Sequence, residues 1–302
     1  MIMLRCCPIC NKSIEDTTLF LEEHIDQALF SEFSYASRKA PEYMCYRLVK
    51  CKFCDLVYAS NPPDQKQLAQ AYHSADYNSS AEADDAAKTY MNIMEPVLAN
   101  LKQKVSVLEI GSGTGVLLEF LSNEGFTHLV GIEPSAKAIA NAPIHRREWL
   151  QEGIFEEASY LPETFDLICC FMTLEHVYDP MALAMAAHRL LKPGGAFVTV
   201  THDYAGWINR ALGRKSPIID IEHLQLFSKS SINRLFRCSG FSAISVKPFV
   251  NRYSLNYWLR LTPLPNFIKC SFSYLDSQCN IGKIKIAINV GNIVATGFKS
   301  SQ

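Results

Sequence analysis

No run in this 302-residue sequence approaches the roughly 20 apolar residues of a membrane span, and its opening, Met1-Ile2-Met3-Leu4-Arg5-Cys6-Cys7, lacks the long apolar core of a signal peptide. Both absences predict a chain without a membrane span in a reducing cytoplasm. A basic excess is missing as well. Lys and Arg number 29 against 30 Asp and Glu, a formal charge of -1, so the chain as a whole is not held to a partner by nucleic-acid phosphates. There is no internal repeat. What remains is an ordinary globular composition, 48% hydrophobic and 20% charged, long enough for one large α/β domain plus a small module. Eleven cysteines without an export signal predict free thiols or metal ligation in preference to disulfides.

Two common phosphate-binding signatures are also absent from the one glycine-rich segment. Val105-Ser106-Val107-Leu108-Glu109-Ile110-Gly111-Ser112-Gly113-Thr114-Gly115 has Val116 where a dinucleotide fingerprint needs its third glycine, and no Gly-Lys-Ser/Thr ending of a P-loop. Val105, Val107, Leu108 and Ile110 give the near-continuous apolar pattern of a buried parallel strand, and Val116 to Leu121 begins a helix that Asn123 and Gly125 can end. Strand, glycine turn and helix in that order predict a nucleotide-cofactor site: glycines at 111, 113 and 115 let the backbone approach a ligand and leave helix-start N–H groups facing it.

With Glu109 just before the turn and Glu133 in Val130-Gly131-Ile132-Glu133-Pro134-Ser135, the segment resembles the class I S-adenosylmethionine-dependent methyltransferases. A second signature supports the resemblance. Phe165 to Met172 reads as a strand running into Thr173-Leu174-Glu175-His176-Val177-Tyr178-Asp179-Pro180, then a helix, then Leu191-Lys192-Pro193-Gly194-Gly195 and a further strand to Thr201. The resemblance implies an α/β fold, a doubly wound, seven-stranded, mostly parallel Rossmann-like sheet. It also implies a cofactor site of Glu109, Gly111, Ser112, Gly113, Gly115, Glu133, Pro134, Ile154, Phe155, Met172 and Thr173. In it Glu109 organises the methionine ammonium and Glu133 accepts hydrogen bonds from both ribose hydroxyls. Ile154 and Phe155 either flank the adenine or are simply core, and Glu175 and His176 are expected to cap and brace the following helix.

Ahead of this domain, Cys7-Pro8-Ile9-Cys10 and Cys51-Lys52-Phe53-Cys54 each present two thiolates from one tight knuckle. Four such ligands close a structural Zn²⁺ site and give a small segment a reason to fold; the competing reading is two chance pairs, with Cys6 and Cys45 as spare thiols. The continuation through Pro63 resembles the zinc-ribbon lead-in of some small-molecule methyltransferases, with Asp55 where a glycine usually follows the last cysteine. The expected division is a zinc-ribbon-like module over 1–63 and a methyltransferase domain over 64–302. Tyr72 and Tyr77 either cover the cofactor or pack ordinarily.

Residues 247–282, with Tyr253, Tyr257, Trp258, Pro263, Pro265 and Phe267, follow no recognisable pattern and are expected to be an insertion forming a pocket wall or a homodimer contact. Ile284 to Val290 and Ile293 to Ala295 are expected to supply the closing antiparallel strand. The preferred function is methyl transfer to a hydroxyl of a small-molecule acceptor such as a sugar, lipid or secondary metabolite. His223 is then the general base and His202 and His176 its competitors. One alternative is an RNA or protein methyltransferase docking through the zinc module, with Arg210, Arg214, Lys215, Arg234, Arg237 and Arg252 as its basic residues. Solvated faces explain those charges more simply. Another is a non-catalytic zinc-binding interaction protein, against which the intact glycine turn and both acids argue.

Overall fold

The computed structural model describes residues 4–29, 34–35, 42–74, 80–262, 264–265, 272, 276 and 279–301. Tyr77, Pro263 and Phe267, singled out in the sequence, lie outside the described residues. Three short strands come first, β1 (Thr17–Leu21), β2 (Leu48–Cys51) and β3 (Val57–Ala59), followed by helices α1 (Gln65–Ser74) and α2 (Ser80–Asn100). An alternation then begins: β4 (Ser106–Ile110), α3 (Val116–Asn123), β5 (His128–Glu133), α4 (Ala136–Asn141), α5 (Ile144–Arg147) and β6 (Leu150–Glu152). It continues through β7 (Phe165–Phe171), α6 (Pro180–Leu190), β8 (Leu191–His202), α7 (Trp207–Leu212), β9 (Gln225–Leu226) and α8 (Lys229–Cys238). The chain closes with β10 (Ser242–Pro248), β11 (Asn251–Ser254), α9 (Leu255–Leu261), β12 (Lys285–Ile288) and β13 (Asn292–Phe298).

Seven of the described strands form one sheet in the order β10-β13-β8-β7-β4-β5-β6. β4 runs parallel to β5 and β7, β5 to β6, and β7 to β8, while β13 lies antiparallel between β8 and β10. This is the doubly wound, mostly parallel sheet that the sequence led us to expect. Its cause is visible residue by residue, because alternate side chains of the central strands enter two cores. Val107, Leu167 and Cys169 pack with Tyr90, Met94 and Val97 of α2 and Leu117 and Leu121 of α3. Leu108, Ile168 and Cys170 pack with Leu183 and Ala187 of α6 and Leu235 and Phe236 of α8. A fully buried aliphatic side chain contributes about 1.5–3 kcal/mol, more than the roughly 1 kcal/mol spread of strand propensity, so two-sided burial fixes these strands.

Helix starts follow side-chain chemistry. Asp179 Oδ1 accepts from Ala182 N at 2.9 Å with Pro180 in the first turn of α6, and Ser228 and Ser231 make a reciprocal capping box on α8. The cap of α6 is therefore Asp179, which corrects the expectation that Glu175 and His176 cap it. Pro96 falls inside α2 without ending it.

The N-terminal strands form an antiparallel sheet in the order β1-β2-β3-β9, so the last strand of the small module comes from the larger domain. Tyr58 of β3 stands opposite Gln225 of β9. The closing strand of the main sheet is β13 alone. β12 pairs instead with β11 in a two-stranded ribbon, Asn251 opposite Ile288, because the turn at Gly291 separates the two apolar runs that the sequence places together. No helix among the described residues is long and apolar enough to cross a membrane.

Candidate active site

The cavity opens at the carboxyl ends of β4, β5, β7 and β8, where strand order reverses on either side of β4 and open α/β sheets form a crevice. Its volume is about 650 Å³. Glu109, Gly111, Ser112, Gly113, Glu133, Pro134, Ile154, Phe155, Met172, Thr173 and His223 all line it. Gly115, the remaining member of the expected cofactor set, does not. It precedes α3 at φ 69°, and a Cβ there would meet Leu150 and Arg146.

The glycine turn is tied to the neighbouring strand, since Gly111 N and Ser112 N both donate to Ile132 O, at 2.9 and 3.0 Å. Gly111 sits at φ 80°, and a Cβ there would lie 2.1 Å from Thr173 Oγ1. Gly111→Ala combines left-handed backbone strain with that clash. It is expected to cost about 2–4 kcal/mol of stability, read as a lowered melting temperature; an unchanged melting temperature would show that the turn relaxes freely.

Past the turn, Glu133 is held by two backbone donors, Gly113 N to Oε2 at 2.7 Å and Ser135 N to Oε1 at 2.8 Å. Burial pushes its carboxyl above the ordinary range, and those two N–H groups oppose the rise. A carboxylate has about four lone-pair sites, so two remain for a ligand with two hydroxyl donors. Glu109 is buried at the end of β4, and Ser112 carries a buried hydroxyl with no hydrogen-bond partner among the described residues. Acidic groups and a glycine corner in one crevice fit an adenosyl sulfonium, which carries ribose hydroxyls and positive charge.

Three histidines, His176, His202 and His223, line the same cavity. His223 and His176 have ring centroids 4.9 Å apart, and His223 and His202 5.3 Å. His223 Nδ1 lies 2.8 Å from Ile218 O and His176 Nδ1 3.0 Å from Glu222 O. A carbonyl only accepts, so Nδ1 carries a hydrogen in each ring. His202, with Nδ1 2.8 Å from Asn292 Oδ1, is driven down to about 4, chiefly by burial, and stays neutral at physiological pH. Glu175 braces rather than caps. Fully buried, it accepts from His202 N at 2.9 Å through its carboxylate and from Leu224 N at 2.9 Å through its carbonyl. Tyr253, Tyr257 and Trp258 add an aromatic wall, so the described part of 247–282 does border the pocket.

In the N-terminal module, Cys7 and Cys54 have Sγ atoms 3.3 Å apart, Cys10 and Cys51 3.5 Å, and all four lie within 4.8 Å of one another. The Cys54 thiol draws the Cys7 pKa down to about 5, while burial lifts Cys10 to about 11. Four thiolates around zinc at about 2.3 Å stand roughly 3.8 Å apart, which this cluster reaches by small side-chain rotations. Asp55 adopts φ 65°, the left-handed geometry that glycine usually supplies. Cys45 is buried elsewhere, its Sγ 3.8 Å from Glu22 O, and Cys6 is exposed.

The module meets the segment that carries His223 through Ala59 N, which donates to Leu224 O at 2.8 Å, and through the buried side chain of Gln225. Gln225, two residues after His223, donates from Nε2 to Leu174 O and Val177 O, both at 2.7 Å, and accepts from Arg5 at 3.3 Å. Sequence reading passed over Gln225, Glu222 and Asn292. Nothing local marks them, because each acquires its role from partners dozens of residues away.

Fold and crevice together define an α/β protein with a nucleotide-cofactor corner. Residues 83–246, more than half of the chain, match a family described as a methyltransferase domain, and the chain belongs to the S-adenosylmethionine-dependent methyltransferases. Among curated proteins it is similar to the ubiquinone biosynthesis O-methyltransferase of Klebsiella pneumoniae, 34% identical over 115 residues, 35% of this chain and 47% of the relative. The counterpart in Pseudomonas syringae pv. tomato is 34% identical over 126 residues, 38% of this chain and 52% of the relative. The chain thus matches about half the length of these curated relatives. Among solved structures it is similar to a methyltransferase of Thermotoga maritima described as a possible histamine N-methyltransferase. That likeness has 20% identity and a TM-score of 0.48, over 71% of this chain and 91% of the other. A methyltransferase of Archaeoglobus fulgidus is 13% identical, TM-score 0.49, over 78% of this chain and 100% of the other.

Proposed function

We propose that this chain transfers the methyl group of S-adenosylmethionine to a hydroxyl of a small molecule. The observation that carries this reading is one cavity lined both by the acidic glycine corner and by three imidazoles, two of them with Nδ1–H groups held by backbone carbonyls. The sulfonium supplies an electrophilic methyl for in-line displacement, and the protein must align the acceptor and exclude water. Glu109 and Glu133 hold the ammonium and ribose ends, Ile154 and Phe155 flank the base, and the turn at Met172 and Thr173 borders the methionine portion. The names of the O-methyltransferase relatives agree with a hydroxyl acceptor. A structural Zn²⁺ on Cys7, Cys10, Cys51 and Cys54 completes the reading, in which 1–63 shapes the acceptor side. The six basic residues that would favour RNA docking are all exposed.

His223 is the residue we assign to activating the acceptor hydroxyl, its ring oriented by the bond from Nδ1 to Ile218 O. His223→Ala is expected to lower turnover by about 10²–10⁴-fold while calorimetric binding of S-adenosylmethionine is unchanged. The assay is radiolabelled methyl transfer to a panel of phenols, catechols and sugar alcohols. Equal turnover by the variant would remove His223 from the chemistry, and methyl transfer confined to RNA or protein would replace the small-molecule reading.

A further inference from the structure

His176 and His223 belong to two different loops, and two polar side chains join those loops. Gln225 follows His223 by two residues, and its Nε2 donates to Leu174 O and Val177 O, both at 2.7 Å, on either side of His176. Both amide hydrogens are thereby spent on one loop. The backbone adds to this, with Leu224 N and Gln225 N donating to Glu175 O at 2.9 and 3.2 Å. Oε1 of Gln225 accepts from Arg5 at 3.3 Å, and the same guanidinium nitrogen donates to Tyr178 O, the next carbonyl along the loop.

We infer that Arg5, carried by the N-terminal module, is a positioning residue for the pocket: with Gln225 it clamps the loop of His176 to the segment of His223. Its effect on turnover rests on the methyltransferase reading; the clamp itself stands on the hydrogen bonds.

A guanidinium suits the task because its planar fork of donors fixes the direction of each bond, which a flexible ammonium does not. Arg5 is itself anchored. Its backbone N donates to Ser60 O at 2.9 Å, one residue past β3, and its guanidinium lies 5.0 Å from the centre of the Tyr178 ring. Burial pulls its pKa below the ordinary value, and Tyr178 and Asp179 oppose the shift. The loop that it holds begins at Met172, φ 50°, a left-handed geometry that a residue other than glycine keeps only where its surroundings impose it. From that loop Thr173, His176, Val177, Tyr178 and Asp179 line the cavity, and the His176 ring centre lies 4.9 Å from that of His223. A displacement of about 1 Å at such a loop can cost about a hundredfold in rate.

The test compares the full-length parent with Arg5→Met, which keeps the length of the side chain without its donors, and Arg5→Lys, which keeps the charge. Arg5→Met is expected to shift the ring-proton resonances of His176 and His223 in protein made with isotope-labelled histidine. It should lower methyl transfer to the panel of phenols, catechols and sugar alcohols by about 10–100-fold. The dissociation constant for S-adenosylmethionine should stay within about threefold, and the amides of Val57 to Ala59 should stay protected. Arg5→Lys should recover part of the turnover. Resonances of both rings left where the parent has them overturn the clamp, and shifted resonances with parent turnover overturn the positioning role. A parent that binds no S-adenosylmethionine fails the methyltransferase reading instead, and the ring resonances then decide the clamp by themselves. Loss of amide protection at Val57 to Ala59 in both variants makes Arg5 a structural member of the module and overturns its positioning role too.

Discussion

Replacing Glu133 with alanine is expected to raise the dissociation constant for S-adenosylmethionine by at least a hundredfold. The carboxylate has two lone-pair sites committed to Gly113 N and Ser135 N, and the two that remain are the ones a ribose diol would occupy. Hydrogen bonds to a charged group contribute about 1.5–3 kcal/mol each, so losing a pair costs about 3 kcal/mol or more. The truncation also releases the backbone at Gly113 and Ser135, and Ser135 caps α4 through Ala138 N at 3.2 Å. Glu133→Gln keeps one acceptor oxygen but turns an amide N–H₂ toward a backbone N–H, so it should bind weakly too while unfolding nearer the parent temperature. Calorimetry and thermal unfolding on both variants separate ligand loss from collapse of the turn. Binding within threefold of the parent by Glu133→Ala would mean that the ribose is held elsewhere.

The second large effect is expected at the cysteine cluster. Cys54→Ser should reduce bound zinc from one per chain toward none and unfold the first three strands. Structural zinc supplies about 10–16 kcal/mol of apparent binding free energy in small modules, and the buried side chains of this segment, among them Val49, Leu56 and Tyr58, belong to a core shared with the main sheet. The loss should not stop there. β3 pairs with β9, Gln225 of β9 ties the loop at Leu174 and Val177, and His223 lies two residues away. Turnover should therefore fall. Cofactor affinity should stay within about threefold, because the glycine corner is built from β4 and β5. Elemental analysis measures the metal, and amide exchange at Val57 to Ala59 reports the strand. A parent protein that contains no zinc yet keeps those amides protected would refute the structural role.

The glycine corner with its two acids was legible in the sequence because its determinants are local. Gly111, Gly113 and Glu109 sit in one strand–turn unit, and Glu133 ends the next strand in register with it, Ile110 opposite Ile132. The cysteine cluster was legible for a similar reason: each C-x-x-C pair is a self-contained knuckle, and only the meeting of the two pairs across 40 residues needed the fold. The cluster of histidines was much less so. His176, His202 and His223 come from the ends of three different segments, and a histidine in a loop carries no pattern that says what it will face. The two apolar runs near the C-terminus show the same limit. Both read as strands, yet pairing sent one to β11 and the other to β8 and β10, a choice that hydropathy cannot express.

Taken alone, the order of residues determined that a sheet with two buried faces would form, where its glycine corner would lie and which acids would border it, since apolar periodicity and turn chemistry act over a few residues. Tertiary structure alone decided that Gln225 would link the small module to the loop at Leu174 and Val177 and that three imidazoles would share one pocket with Glu222. Those contacts span from 21 to 220 residues, and no local preference of the backbone encodes a distance of that kind.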